Sequence, residues 1–119
     1  MYVQGDIVSV PFPFTDLSSA KLRPAIVVSN NSIDNTGDVV IVMVTSQYKM
    51  DGVNMPIGPN DIDIALPKQS YVRCHRIVTI DNDIIANKIG SLSAEYLTIV
   101  LSNIKSIFDI HPKLFTKEV

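Results

Sequence analysis

The stretch Arg73-Cys74-His75-Arg76 holds two of the chain's three arginines and one of its two histidines. The flanks, Ser70-Tyr71-Val72 and Ile77-Val78-Thr79-Ile80, are rich in β-branched and aromatic residues and predict a strand. Alternate side chains on a regular strand share a face, which would set Arg73 beside His75. A permanently charged guanidinium would then adjoin an imidazole, the side chain type that exchanges protons near neutral pH. Cutting a phosphodiester without a metal needs those parts. The same residues also suit a solvated basic face with a structural histidine, so the rest of the chain has to decide.

Cys74 is the only cysteine, which excludes an intramolecular disulfide and a zinc cluster. Neighbouring strand residues point to opposite faces, so a Cys74–His75 dyad has poor geometry. Cys74 is expected to be a small buried apolar residue.

The elements that must position these groups belong to a chain of 119 residues, read as one domain over residues 1–119. An apolar fraction of 46% and a mean hydropathy of +0.24 exclude a disordered protein. No apolar run approaches the ~20 residues of a membrane helix, and Met1-Tyr2-Val3-Gln4-Gly5-Asp6 is not a basic signal-peptide start. A soluble, cytoplasmic protein with no membrane partner is expected. The net charge is −2 and the pI about 5.5. A protein that coats duplex nonspecifically is basic, so any nucleic-acid contact must be local, through a few placed cations. Arg23, Arg73 and Arg76 all fall at strand-like positions or strand edges.

Ile7-Val8-Ser9-Val10 predicts a first strand, closed by Pro11-Phe12-Pro13-Phe14 because proline cannot donate to a ladder. Thr15 to Lys21 reads as a flexible loop. Pro24 opens a buried strand over Ala25-Ile26-Val27-Val28-Ser29, and a polar turn region runs from Asn30 to Gly37. Asp38 to Val44 is the strongest strand, near-continuously apolar and so central, ending at the hydroxyls of Thr45 and Ser46. A short strand is expected about Val53 to Ile57, and a half-exposed one over Asp61 to Leu66. The period then changes. Ser93 is a helix N-cap with Glu95 in the first turn, and Leu97, Val100, Leu101, Ile104 and Phe108 form one apolar stripe before Pro112 stops the helix. The fold class is mainly β: a small barrel followed by a C-terminal helix.

Together these pieces resemble the MazF/PemK (Kid-like) family of toxins from type II toxin–antitoxin systems. The resemblance is carried by Gly5-Asp6-Ile7-Val8, Arg23-Pro24 before an apolar strand, and Thr45-Ser46 closing the central strand. Val72-Arg73-Cys74-His75 with Thr79-Ile80-Asp81, and Gly90-Ser91-Leu92-Ser93 before the last helix, complete the ordered set. The resemblance implies an SH3-like barrel, a homodimer, and a metal-independent endoribonuclease acting on single-stranded RNA with no cofactor. The 2′-hydroxyl would attack its own phosphate and leave 2′,3′-cyclic phosphate and 5′-hydroxyl ends. The implied partner is an antitoxin whose disordered C-terminal segment lies over the active groove.

On that resemblance Arg73, His75, Arg23 and Thr45 are the catalytic candidates, and Ser46, Lys21, Arg76, Thr15 and Ser19 the RNA-binding ones. The chemistry fits: His75 as base takes the 2′-proton, and Arg73 with Arg23 stabilises the charge that builds on the phosphorus oxygens. Lys21 and Arg76 would track the strand, with aromatic side chains stacking on bases. Each has a plainer reading: Arg23 paired with Asp16, Thr45-Ser46 capping a strand, Arg76 as surface charge. The chain also departs from the family. His75 stands where Kid-like members have an acidic residue, Arg76 stands where several have Gln, and the first loop lacks their histidine, which leaves the general acid unassigned. His111 is read as a tail residue. The alternatives are a CcdB-like toxin on the same barrel, which inhibits DNA gyrase by binding and would not depend on Arg73 or His75, and an SH3-like interaction module, disfavoured by the absence of Trp.

Overall fold

The computed structural model describes residues 1–12 and 21–111. Thr15, Asp16 and Ser19, and the helix-stopping Pro112, lie outside the described residues. Among the described residues six strands precede one α-helix: β1 (Asp6–Phe12), β2 (Lys21–Val27), β3 (Asp38–Thr45), β4 (Met55–Pro56), β5 (Tyr71–Asp81), β6 (Asn87–Ser91) and α1 (Ala94–Ile107). The strands form one antiparallel sheet in the order β4-β5-β3-β2-β1-β6. This is the mainly β, barrel-like architecture with a C-terminal helix that the sequence predicts.

The near-continuous apolar run of β3 follows from burial on both faces. Val42 and Val44 join Ile7, Ile26, Val72 and Cys74 in the core beneath α1. Val39, Ile41 and Met43 face a second core with Val8, Val10, Ala25, Val27 and Ile80. Cys74 is buried within van der Waals reach of Met55, and burial pushes its thiol pKa up, as expected of an inert apolar residue.

Helix α1 starts where expected: Ser93 Oγ accepts the Tyr96 N–H, and Glu95 lies in the first turn. Val100 is fully buried, worth ~1.5–3 kcal/mol for such a side chain, and Leu97, Leu101 and Ile104 pack at its margins. Phe108 departs from the predicted stripe; it is the C-cap residue, with its side chain exposed. At the other end of the helix Tyr96, outside the predicted stripe, is buried and its hydroxyl donates to Pro56 O at 2.7 Å.

Three strand expectations need correction. Strand β1 continues through Pro11 and Phe12, paired with Leu22 and Lys21. Ser9 O faces the Ala86 N–H, so Pro11 turns its nitrogen to that same edge, past the end of β6, where no ladder donor is missed. Strand β2 begins at Lys21 rather than at Ala25; Pro24 sits opposite Ser9, one residue before the first β2–β3 pair, Ala25↔Met43. Asp61 to Leu66 is not a strand. Its acidic side chains bond backbone instead: Asp61 Oδ2 accepts the nearby Gly58 N–H at 2.6 Å, and Asp63 Oδ1 accepts the N–H of distant Ser91 at 2.7 Å. A single Ile62↔Leu92 bridge ties this segment to the β6 end, so the chain leaving one edge strand reaches the other and partly closes the sheet.

Strand β6, Asn-Lys-Ile-Gly-Ser, is a strand the sequence reading missed, being polar and broken by glycine. Gly90 is needed there. A Cβ would stand 2.9 Å from Asp63 Oδ1 and 3.0 Å from Ile64 Cγ1.

Candidate functional site

Strands β1, β2, β3 and β5 lie side by side, and one face of their ends is polar. Val8, Val10 and Phe12 alternate along that face of β1, as Ala25 and Arg23 do on β2 and Met43 and Thr45 on β3. Met43 pairs with Arg73 of β5. The result is a hollow of about 210 Å³ lined by Phe12, Arg23, Met43, Val44, Thr45, Lys49, Arg73 and Arg76. Four of its eight lining residues are cationic in a chain of net charge −2. The cations are local, as the composition requires.

A break in the β3–β5 ladder shapes this hollow. Val42 pairs with Ile77 and the next residue, Met43, with Arg73, so Cys74, His75 and Arg76 bulge out against a single step of β3. The expected sharing of a face by Arg73 and His75 is therefore replaced by a different pairing. Arg73 and Arg76, three residues apart, line the same hollow, while His75 is an exposed bulge residue outside its lining. His75 still lies close enough for its charge to act on Asp51.

Arg73 is buried, with only 10% of its side chain exposed. Nη2 donates to Asp51 Oδ2 at 2.6 Å, and Nη1 donates to Asp51 Oδ1 at 2.9 Å, to Val53 O at 2.9 Å and to Asn54 Oδ1 at 3.2 Å. This two-pronged pair holds the Asp51 carboxyl well below the usual carboxylate range, helped by the Val53 N–H, and pushes Arg73 further up. Lys49 and Asp51 are functional candidates that the sequence reading did not single out. Nothing in the local sequence ties Asp51 to a residue 22 positions away.

Arg23 and Thr45 also line a second hollow of about 170 Å³, with Pro24, Val44, Ser46, Leu66, Pro67, Lys68 and Ser70. Through Leu66, Pro67, Lys68 and Ser70 it adjoins a larger hollow, about 540 Å³, along residues 57–70. That space is lined by no arginine or histidine, whereas Arg23 and Thr45 form a ridge shared by the two smaller hollows. Thr45 Oγ1 accepts the Gln47 N–H at 3.1 Å, and Ser46 is exposed in the second hollow. Lys21 is exposed at the start of β2, opposite Phe12, and lines neither of these two hollows. His111 is exposed beyond the helix. Among the described residues, no three His, Cys, Asp or Glu side chains converge as metal ligands, and no helix is long and apolar enough to cross a membrane.

The sequence profile of the PemK-like, MazF-like toxins of type II toxin–antitoxin systems matches residues 3–108. No curated protein sequence matches the chain. Solved structures share the fold. An endoribonuclease from a mycobacterial species is 23% identical over 88% of each chain, with a TM-score of 0.67. The MazE–MazF complex (Form III) from Deinococcus radiodurans is 19% identical, with 92% of this chain and 98% of that chain covered and a TM-score of 0.73. The Mycobacterium tuberculosis toxin MazF-mt6 is 19% identical over 89% and 98% of the two chains, with a TM-score of 0.68. With the family profile spanning residues 3–108, a stretch that contains β1 through α1, the chain belongs to the PemK-like, MazF-like toxin family of type II toxin–antitoxin systems.

Proposed function

We propose that this toxin is an endoribonuclease that cuts single-stranded RNA by metal-independent attack of a 2′-hydroxyl on its own phosphate. The carrying observation is the hollow itself, where Arg23, Thr45 and Arg76 meet on adjacent strands of one rigid sheet. In the reaction the 2′-oxygen–phosphorus bond forms and the phosphorus–O5′ bond breaks. The 2′-proton passes to a base and the leaving O5′ takes up a proton. The products are a 2′,3′-cyclic phosphate and a 5′-hydroxyl.

Negative charge grows on the non-bridging oxygens as the phosphorus becomes five-coordinate. A guanidinium offers them paired donors, and such preorganised donors carry the largest share of catalysis in a site of this kind. Arg23 holds that role because it is exposed and lines both hollows at the ridge. The Thr45 hydroxyl beside it orients the phosphate. His75 supplies the base: it is solvent-accessible on the bulge adjoining the hollow. Arg76 contacts a flanking phosphate from the first hollow, and Ser46 and Lys68 continue the track on the other side of the ridge. Lys21, and Thr15 and Ser19 outside the described residues, complete the proposed RNA contacts.

The protein works as a homodimer in the cytoplasm, held inactive by a cognate antitoxin whose flexible C-terminal segment covers the groove. Ile99, Ile107, Phe108 and Ile110, all exposed on or just after α1, are apolar surface that association would cover. Complexes of MazF with MazE are known for the Deinococcus protein of the same fold. The test is end-group analysis of RNA fragments made by the purified protein in EDTA. Cyclic-phosphate and 5′-hydroxyl ends support the reading; 3′-hydroxyl and 5′-phosphate ends, or RNA left intact by folded protein, overturn it and make gyrase inhibition the next assay.

A further inference from the structure

Very little of Arg73 is left to face a substrate. Three acceptors share its Nη1 hydrogens, one of them the backbone carbonyl of Val53, and Asp51 engages Nη2 as well. A guanidinium has five N–H donors in a fixed fork, and here the Nη1 hydrogens and one on Nη2 go to one loop. That loop is in turn stitched through the same acceptors. Asn54 Oδ1, which accepts from Arg73, also accepts the Lys49 N–H at 3.1 Å, and the Asn54 amide donates back to Lys49 O. Asp51 Oδ1, which accepts from Arg73, also accepts the Val53 N–H at 3.1 Å. Lys49 is the member of this loop that lines the hollow with Arg23, Thr45 and Arg76.

We propose that Arg73 is a positioning residue: by organising residues 49–54 around its guanidinium it sets Lys49 against the hollow, and Arg23, Arg76 and Lys49 meet the substrate's phosphates in its place. The proposal rests on the reading of the hollow as an RNA-cleaving site. The opposing arrangement has Asp51 as a carboxylate sitting in a phosphate's seat, to be displaced so that Arg73 can bind substrate. Displacement would have to break the two-pronged ion pair at an Arg73 side chain screened from solvent, while Val53 O and Asn54 Oδ1 go on holding Nη1 to the loop. The contact is built as an anchor.

The two arrangements respond oppositely to substitution. Arg73→Lys keeps the charge but cannot bridge both carboxylate oxygens and the loop acceptors. Cleavage rates of a single-stranded RNA are compared for wild type, Arg73→Lys, Asp51→Asn, Lys49→Ala and the Arg73→Lys/Lys49→Ala double variant, all below their melting temperatures. Each single variant is expected to lose roughly ten- to a hundredfold in rate, the scale of a misplaced site group. The double variant should be no slower than the slower single, because both changes remove the same positioned lysine. Full activity in Arg73→Lys, a faster Asp51→Asn, or losses that multiply in the double variant would overturn the proposal. Limited proteolysis provides a readout independent of activity: loop 49–54 should be cut faster in Arg73→Lys and Asp51→Asn than in wild type, and equal cutting overturns the proposal. If wild type cleaves no RNA, the functional reading fails while the proteolysis still judges the anchor.

Discussion

Arg73 and Arg76 line one hollow although they stand three positions apart on a single strand. A regular strand would send them to opposite faces; the bulge of Cys74, His75 and Arg76 against one step of β3 reverses the parity between them. The hollow therefore gains a second cation from the same strand while β5 goes on pairing with β3 on both sides of the break.

Arg76 is exposed and free of the loop contacts that hold Arg73, so its substitution should weaken RNA binding rather than disturb the fold. With a 2′-deoxy-substituted oligonucleotide that resists cleavage, Arg76→Ala should bind several-fold more weakly at moderate salt. The slope of log affinity against log salt should fall by about one, the signature of a lost phosphate contact. Fluorescence anisotropy across a salt series measures it, and an unchanged slope would remove Arg76 from the phosphate track.

The Asp51–Arg73 pair makes stability depend on acid in a defined direction. Arg73, with the Val53 N–H and the nearby charge of His75, holds the folded-state carboxyl below its ordinary value of about 3.9. The folded state thus binds this proton less readily than the unfolded chain. The pair's contribution is fully present above about pH 5 and is lost as pH falls through the ordinary value toward the lowered one. Melting curves between neutral pH and pH 3 should show a smaller acid-dependent fall for Asp51→Asn than for wild type. Parallel curves would show that the half-exposed carboxylate contributes nothing measurable.

Tyr96 anchors α1 to the short strand β4 by donating to Pro56 O. Burial, with Asp61 and Cys74 close by, pushes its phenol pKa up, which keeps the donor proton in place. Tyr96→Phe retains the ring and removes the bond, so urea unfolding should report a loss of ~0.5–1.5 kcal/mol. RNA cleavage should remain at the wild-type rate, because this contact lies beneath the helix and away from the hollow.

Gly90 marks where the segment after β4 crosses β6. A methyl there meets Asp63 Oδ1 at a distance that side chains essentially never show, and presses tightly on Ile64. Asp63 Oδ1 is held by the Ser91 N–H, so it cannot retreat without breaking that bond. Gly90→Ala should lower stability by ~1–3 kcal/mol, read as a lower urea midpoint with an unchanged slope.

Some of this was legible in the sequence and some was not, for physical reasons. Strand β3 and helix α1 were legible because their hydrophobic periods are long and unbroken, and Ser93 marked the helix start. The alternation of Asp61 to Leu66 imitated a strand; its aspartates instead bond backbone groups across a closing loop. The real edge strand β6 carries too few apolar residues to announce itself. At the site, Arg23, Thr45, Arg73 and Arg76 were legible as residue types, but the bulge that gathers the last two is a property of pairing register. Asp51 was invisible because only the folded chain brings it to Arg73.

The most direct test of the central claim is the rate at which Arg23→Ala cleaves a long single-stranded RNA in EDTA, beside wild type of equal thermal stability. The account predicts a loss of roughly 10²–10³-fold, the scale of removing one donor to a transition-state oxyanion, with the wild type leaving cyclic-phosphate ends. A folded Arg23→Ala protein that cuts at the wild-type rate would contradict it and place the chemistry outside the Arg23–Thr45 ridge.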